Sequence, residues 1–129
     1  MYKKALEFIV KKHKGQTRRN GDPYIIHPIR VSQEVAGDEM KTMALLHDIL
    51  EDTDTTMEEI GELFGHQIAF NIWSLTHSKK ESYEDYIARV KIDPRTTAVK
   101  IADIVDNLMD SPSENQIKKY TKALCLLIN

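Results

Sequence analysis

Apolar residues recur three and four positions apart along almost the whole chain, the period of a helix that buries one face. Leu6, Ile9, Val10 and His13 form such a stripe in a first helix. Gly15 to Tyr24 is polar and carries Gly21 and Pro23, so it reads as a loop. A second helix starts near His27-Pro28, where proline suits a first turn, and ends around Gly37. A third runs from about Glu39 to Asp52. Thr56 with Glu59 makes a capping box for a fourth helix that stops at Gly65, and His66 to Leu75 supplies a fifth. Ser82 can cap a sixth, Pro94 opens a seventh that reaches about Asp110, and Ser113 with Gln116 caps a last one. No segment has the alternation of a strand. The expectation is an all-α fold, one domain over residues 1–129, with seven or eight helices around one core. Trp73 joins Ile72 and Leu75 in that core, and Met40, Met43, Met57 and Met109 serve core or cap packing.

One stretch does not fit simple amphipathicity. Ala44-Leu45-Leu46-His47-Asp48-Ile49-Leu50-Glu51-Asp52-Thr53 sets His47, Asp48, Glu51 and Asp52 among residues that need a core. Charge is costly to bury unless it is paired or bound to a metal. At helical spacing His47 and Glu51 share a face, as do Asp48 and Asp52. Two other segments offer similar chemistry: His27 just before Pro28, and Asp103 within Lys100-Ile101-Ala102-Asp103-Ile104-Val105-Asp106-Asn107. Two imidazoles with two carboxylates suit a divalent ion of intermediate hardness, such as Mn²⁺, Fe²⁺ or Zn²⁺, better than Ca²⁺. Such an ion polarises a phosphoryl oxygen and acidifies water. Glu51 and Asp52, one turn further on, can orient that water or accept its proton.

Charge and cysteine usage narrow the partners. A formal net charge of −2 gives no general attraction to nucleic acid, so phosphate recognition needs a local basic cluster or a metal. The single cysteine, Cys125, excludes an internal disulfide and fits a reducing, cytoplasmic setting. Met1 to Lys14 reads as an amphipathic helix rather than a signal peptide, and no apolar run approaches the ~20 residues that span a bilayer. The sequence leaves the oligomeric state open.

Four segments in order carry a family resemblance: His13-Lys14-Gly15-Gln16-Thr17-Arg18-Arg19; Pro23-Tyr24-Ile25-Ile26-His27-Pro28; Ala44 to Thr56 with Phe64-Gly65; and Lys100-Ile101-Ala102-Asp103 with Asn107-Leu108. Through them the chain resembles the HD-domain hydrolases of the RelA/SpoT family, in particular small stand-alone ppGpp hydrolases like the metazoan SpoT homologue. The resemblance implies an HD-domain helical bundle with His27, His47, Asp48 and Asp103 as ligands of a divalent metal, usually Mn²⁺. It implies Glu51 and Asp52 as the acidic pair acting on the nucleophilic water, with Arg18, Arg19, Asn107 and Tyr120 at the nucleotide. The implied reaction removes the 3′-pyrophosphate of ppGpp or pppGpp to give GDP or GTP. The family's synthetase domain needs a far longer chain, so synthesis is not expected.

The chain also departs from the family. The interval from His27 to His47 is several residues shorter, only one helix follows Ser111, and Asp106 stands where an aromatic residue or histidine precedes the Asn. In the family register Asp103 is the ligand, and Asp106 is expected to face solvent or substrate. These departures fall on the purine pocket. They leave open an HD phosphatase or pyrophosphohydrolase for another nucleotide, or a non-catalytic alarmone-binding module. For several residues the ordinary reading is structural. Arg18 and Arg19 would form a solvated basic pair, Lys79 and Lys80 a soluble surface, and His13 a packed or hydrogen-bonded side chain, while His66 and His77 have no evident partner.

Overall fold

The structure, a computed structural model, describes residues 1–129 and contains nine α-helices. They are α1 (Tyr2–Lys12), α2 (Ile26–Gln33), α3 (Asp38–Leu46), α4 (Ile49–Asp52), α5 (Met57–Phe64), α6 (His66–Ser74), α7 (Tyr83–Val90), α8 (Pro94–Leu108) and α9 (Glu114–Ile128). There is no sheet, only an isolated bridge between Thr17 and Pro23 that closes the loop after α1. The all-α expectation holds. Four of the nine helix starts are capped by side chains. The side chains of Thr56, Ser82 and Asp93 accept from the backbone N–H of Glu59, Asp85 and Arg95, and Ser113 with Gln116 forms a reciprocal capping box.

The ninth helix comes from a break. The expected third helix, Glu39 to Asp52, splits into α3 and α4 at His47-Asp48. The His47 imidazole Nδ1 lies 2.6 Å from the Ala44 carbonyl, the acceptor that an unbroken helix would offer to the N–H of residue 48. Asp48 accordingly leaves helical geometry, at φ −103°, ψ 4°. The second helix stops at Gln33, short of Gly37. Gly37 instead begins α3 at φ +88°, a conformation open to glycine and strained for other residues.

Three packing expectations are corrected. Val10 is 48% exposed, because the buried stripe of α1 runs through Ala5, Ile9 and His13, each four residues apart. Trp73 lies at the surface, since Ile68, Ile72 and Leu75 take the inward face of α6; its ring stacks on Phe70 and under the Arg89 guanidinium. Met109 follows the end of α8 and is largely exposed.

Helix α3 is the hub. Met43, Ala44, Leu45 and Leu46 are fully buried, and α3 packs against α1, α2, α6 and α8. Full burial of each large aliphatic side chain stabilises by about 1.5–3 kcal/mol. Helix α2 lies against both α3 and α8, and α9 closes over α7 and α8. The packing of α2, α3 and α8 brings residues 27, 47–48 and 103 to one place.

Candidate metal centre

His27 comes from the first turn of α2, His47 and Asp48 from the break between α3 and α4, and Asp103 from the middle of α8. Each offers one ligand atom, and the four atoms lie within 4.8 Å of one another. The two imidazole Nε2 atoms face each other at 3.3 Å. Asp103 Oδ1 lies 2.8 Å from His27 Nε2 and 3.1 Å from His47 Nε2, and Asp48 Oδ2 lies 3.1 Å from His47 Nε2.

The outer ring nitrogens are already engaged. His47 Nδ1 can donate only to the Ala44 carbonyl, and His27 Nδ1 lies 2.7 Å from Asp106 Oδ2. With both Nδ1 atoms engaged outward, two Nε2 atoms and two carboxylates converge inward. That donor set fits a divalent cation. His27, His47 and Asp103 are buried, whereas Asp48 is partly open to the adjoining cleft.

The charges are strongly coupled. Burial opposes a charge on His47, but the Asp48 and Asp103 carboxylates overcome it and hold the imidazole well above its usual range. Burial likewise opposes ionisation of Asp48, yet His47 brings it down to about 2. Asp103 is held well below the usual carboxylate range, against burial, by Lys100 and His47. The Tyr24 hydroxyl donates to Asp48 Oδ2; burial and that carboxylate push the phenol far above its ordinary value.

The centre opens into a cleft of about 250 Å³. Asp48 and Asp103 lie at its base, with Glu51, Asp52, His77, Asn107 and Tyr120 around them. Lys100 and Lys119 also line it, beside Tyr83 and Tyr86. Glu51 Oε1 accepts the backbone N–H of His77 at 3.0 Å. Asp52 is pushed up to about 6 by partial burial and then by the Asp48 and Glu51 carboxylates. Its backbone carbonyl accepts from Gln16 Nε2 at 2.9 Å, and Gln16 Oε1 lies 2.9 Å from His13 Nδ1. The His13-Lys14-Gly15-Gln16 segment thus ties α4 to the end of α1.

The expected nucleotide residues divide. Asn107 and Tyr120 line the cleft. Arg18 does not: its side chain is only 6% exposed and is held by Asp106, Asp110 and Asn107. Arg19 lies outside the cleft, with Nη1 3.4 Å from the Ser111 carbonyl. Asp106 is the clear correction. Expected to face solvent or substrate, it is 7% exposed and accepts from both Arg18 and Arg30 as well as facing His27. Its burial follows from helix phase, since Val99, Asp103 and Asp106 repeat at four and three positions on the inward stripe of α8.

Sequence reading also passed over Tyr24, Lys100 and Lys119. Lys100 falls three residues before Asp103, on the same face, and donates to Asp103 Oδ2 at 2.9 Å. That spacing was the available signal. Lys119, on α9, had none.

Comparison with known proteins gives concordant matches. The HD domain family profile matches residues 5–125. The guanosine-3′,5′-bis(diphosphate) 3′-pyrophosphohydrolase of Aquifex aeolicus is 42% identical over 117 residues, 81% of this chain and 17% of that protein. The GTP pyrophosphokinase of Myxococcus xanthus is 34% identical over 134 residues, 88% of this chain and 18% of that protein. The chain therefore spans less than a fifth of the length of these relatives. A solved structure described as a metazoan ortholog of SpoT that hydrolyzes ppGpp superposes with a TM-score of 0.83 at 25% identity. That match covers 98% of this chain and 84% of the other.

Proposed function

The chain belongs to the HD domain family, and from that premise we propose that it is a metal-dependent hydrolase that removes the 3′-pyrophosphate of ppGpp or pppGpp. His27, His47, Asp48 and Asp103 would hold the ion, with Mn²⁺ the expected occupant. One observation carries the reading: two inward Nε2 atoms and two carboxylates converge at the base of a cleft that also presents Glu51 and Asp52. The names of the Aquifex relative and the superposed SpoT ortholog supply the substrate class.

The charge balance of the cleft supports a cation. Asp48, Glu51, Asp52 and Asp103 outnumber Lys100 and Lys119 by two. A polyphosphate would be repelled unless a divalent ion offset that excess. When bound, such an ion supplies Lewis-acid polarisation of a phosphoryl oxygen.

The chain's own residues supply the rest. Glu51, anchored through Oε1 by the His77 N–H, has a second oxygen free to orient the attacking water. Asp52, at about 6, is tuned to take that water's proton and return it to the departing 3′-oxygen. Lys119, whose ammonium lies 4.3 Å from the centre of the Tyr83 ring, and Lys100 receive the diphosphate charge. The cleft is smaller than the roughly 300–1,000 Å³ of pockets that enclose a whole ligand. It admits the phosphate end, with the nucleoside towards Asn107 and Tyr120.

The test is to incubate Mn²⁺-loaded protein with ppGpp and separate the products by anion exchange. GDP and pyrophosphate in equal amounts, lost in Asp48→Ala, are expected. Intact ppGpp would overturn the substrate assignment. Arg18, sealed away from the cleft, favours a second reading in which another nucleotide is the substrate. Orthophosphate release across a nucleotide panel would establish that one.

A further inference from the structure

Asp106 takes no part in the ligand set or the cleft wall, yet it is buried against a proposed ligand. Its Oδ2 lies 2.7 Å from His27 Nδ1 and 3.0 Å from Arg18 Nη1, and its Oδ1 lies 2.9 Å from Arg30 Nε. Arg18 is locked in turn, with Nε 3.1 Å from Asp110 Oδ2 and Nη2 3.3 Å from Asn107 Oδ1. Two guanidinium groups therefore fix this carboxylate on the outer edge of the His27 ring.

An ionised carboxylate only accepts hydrogen bonds, so His27 Nδ1 must carry the donated proton. That choice turns the lone pair of the neutral ring to Nε2, the atom facing His47 and Asp103. The two histidines differ in this respect, since His47 is oriented by a neutral carbonyl and His27 by an anion. A carboxylate behind a ligating imidazole fixes its tautomer and strengthens it as a donor.

We propose that Asp106 is a positioning residue: held by Arg18 and Arg30, it sets the tautomer and orientation of His27 and so raises the affinity of the centre for its divalent ion. This inference rests on the reading that the four-residue cluster binds a metal.

Two measurements test it. The first is Mn²⁺ affinity by competition with a fluorescent chelator, for wild type, Asp106→Asn and Arg30→Gln. Asp106→Asn keeps the shape, removes the charge, and is expected to weaken binding roughly 10–100-fold. Arg30→Gln removes a half-exposed brace but leaves the carboxylate on His27, so affinity should change by no more than a factor of a few. Equal affinity in wild type and Asp106→Asn would overturn the inference alone. No ion bound by wild type would overturn the metal reading and this inference with it. The second measurement needs no variant to fold. In Zn²⁺-loaded wild type, long-range ¹H–¹⁵N spectra should show His27 bonded to the ion through Nε2 and protonated at Nδ1. Coordination through Nδ1, or an unprotonated Nδ1, would sink it.

Discussion

Replacing Lys100 by methionine should destabilise the metal-free protein far more than the metal-loaded one. The methionine keeps the length and apolar body of the side chain while removing its charge. The Lys100 and Asp103 side chains are 12% and 4% exposed, so this is a buried pair rather than a surface one. Asp103 Oδ1 keeps His27, His47 and Asn107 as partners, but Oδ2 has Lys100 as its hydrogen-bond donor and would lose it. Removing one member of a buried ion pair costs about 3–5 kcal/mol. For a chain of this length each kcal/mol lowers Tm by roughly 3–5 °C, so the metal-free variant should melt about 9–25 °C below wild type. A divalent ion on Asp103 would compensate the unpaired buried charge. The cost should then fall towards that of one ordinary hydrogen bond, about 1 kcal/mol, or roughly 3–5 °C. Thermal unfolding of both proteins, with Mn²⁺ and with chelator, measures the two differences directly. An equal Tm loss in both conditions, with wild type binding the ion, would refute the assignment of Asp103 as a ligand compensated by Lys100.

Two other outcomes follow from the charges. His47 is held above its usual range in the metal-free protein, so near neutral pH it carries a proton that an ion must displace. Calorimetry in buffers of different ionisation enthalpy should detect about one proton released per Mn²⁺ at pH 7, with affinity rising as pH rises; no release would contradict the Nε2 assignment. Activity should fall on the acid side as Asp52 gains a proton, with a midpoint no higher than about 6, since a cation held by Asp48 offsets that carboxylate's repulsion. Asp52→Asn should remove this limb and lower kcat by roughly 10²–10⁴-fold, and a pH profile unchanged in the variant would exclude Asp52 as the base.

The parts of the molecule that were legible in the sequence are those set locally. Helical period and the caps at Thr56, Ser82 and Ser113 depend on residues a turn or two apart, and His47 and Asp48 are adjacent in the chain. The parts that were not legible depend on distant partners. Arg18 meets Asp106 across 88 positions, so a loop arginine that looks solvated is in fact enclosed. Asp106 looked outward because its partners, Arg18, His27 and Arg30, belong to other elements. The break at His47 comes from a side chain competing with the backbone for the Ala44 carbonyl, and hydrophobic pattern carries no trace of that. Trp73 was misplaced for a simpler reason: a large aromatic residue was taken as core, although Ile72 and Leu75 already filled the inward positions.

His27 and Asp103 lie 76 positions apart, and only His47 and Asp48 among the four are neighbours in the chain. An unfolded chain therefore presents a single adjacent pair, too weak to retain an ion. The centre comes into being only when α2, α3 and α8 have docked, which makes loading a late event rather than a nucleus for folding. Once seated, the ion would act as a clasp across a long loop, joining the two ends of a contact that is entropically among the hardest to form. Its binding energy would accrue to the finished fold alone. Cellular metal supply would then govern how long each molecule stays folded as well as whether it can react.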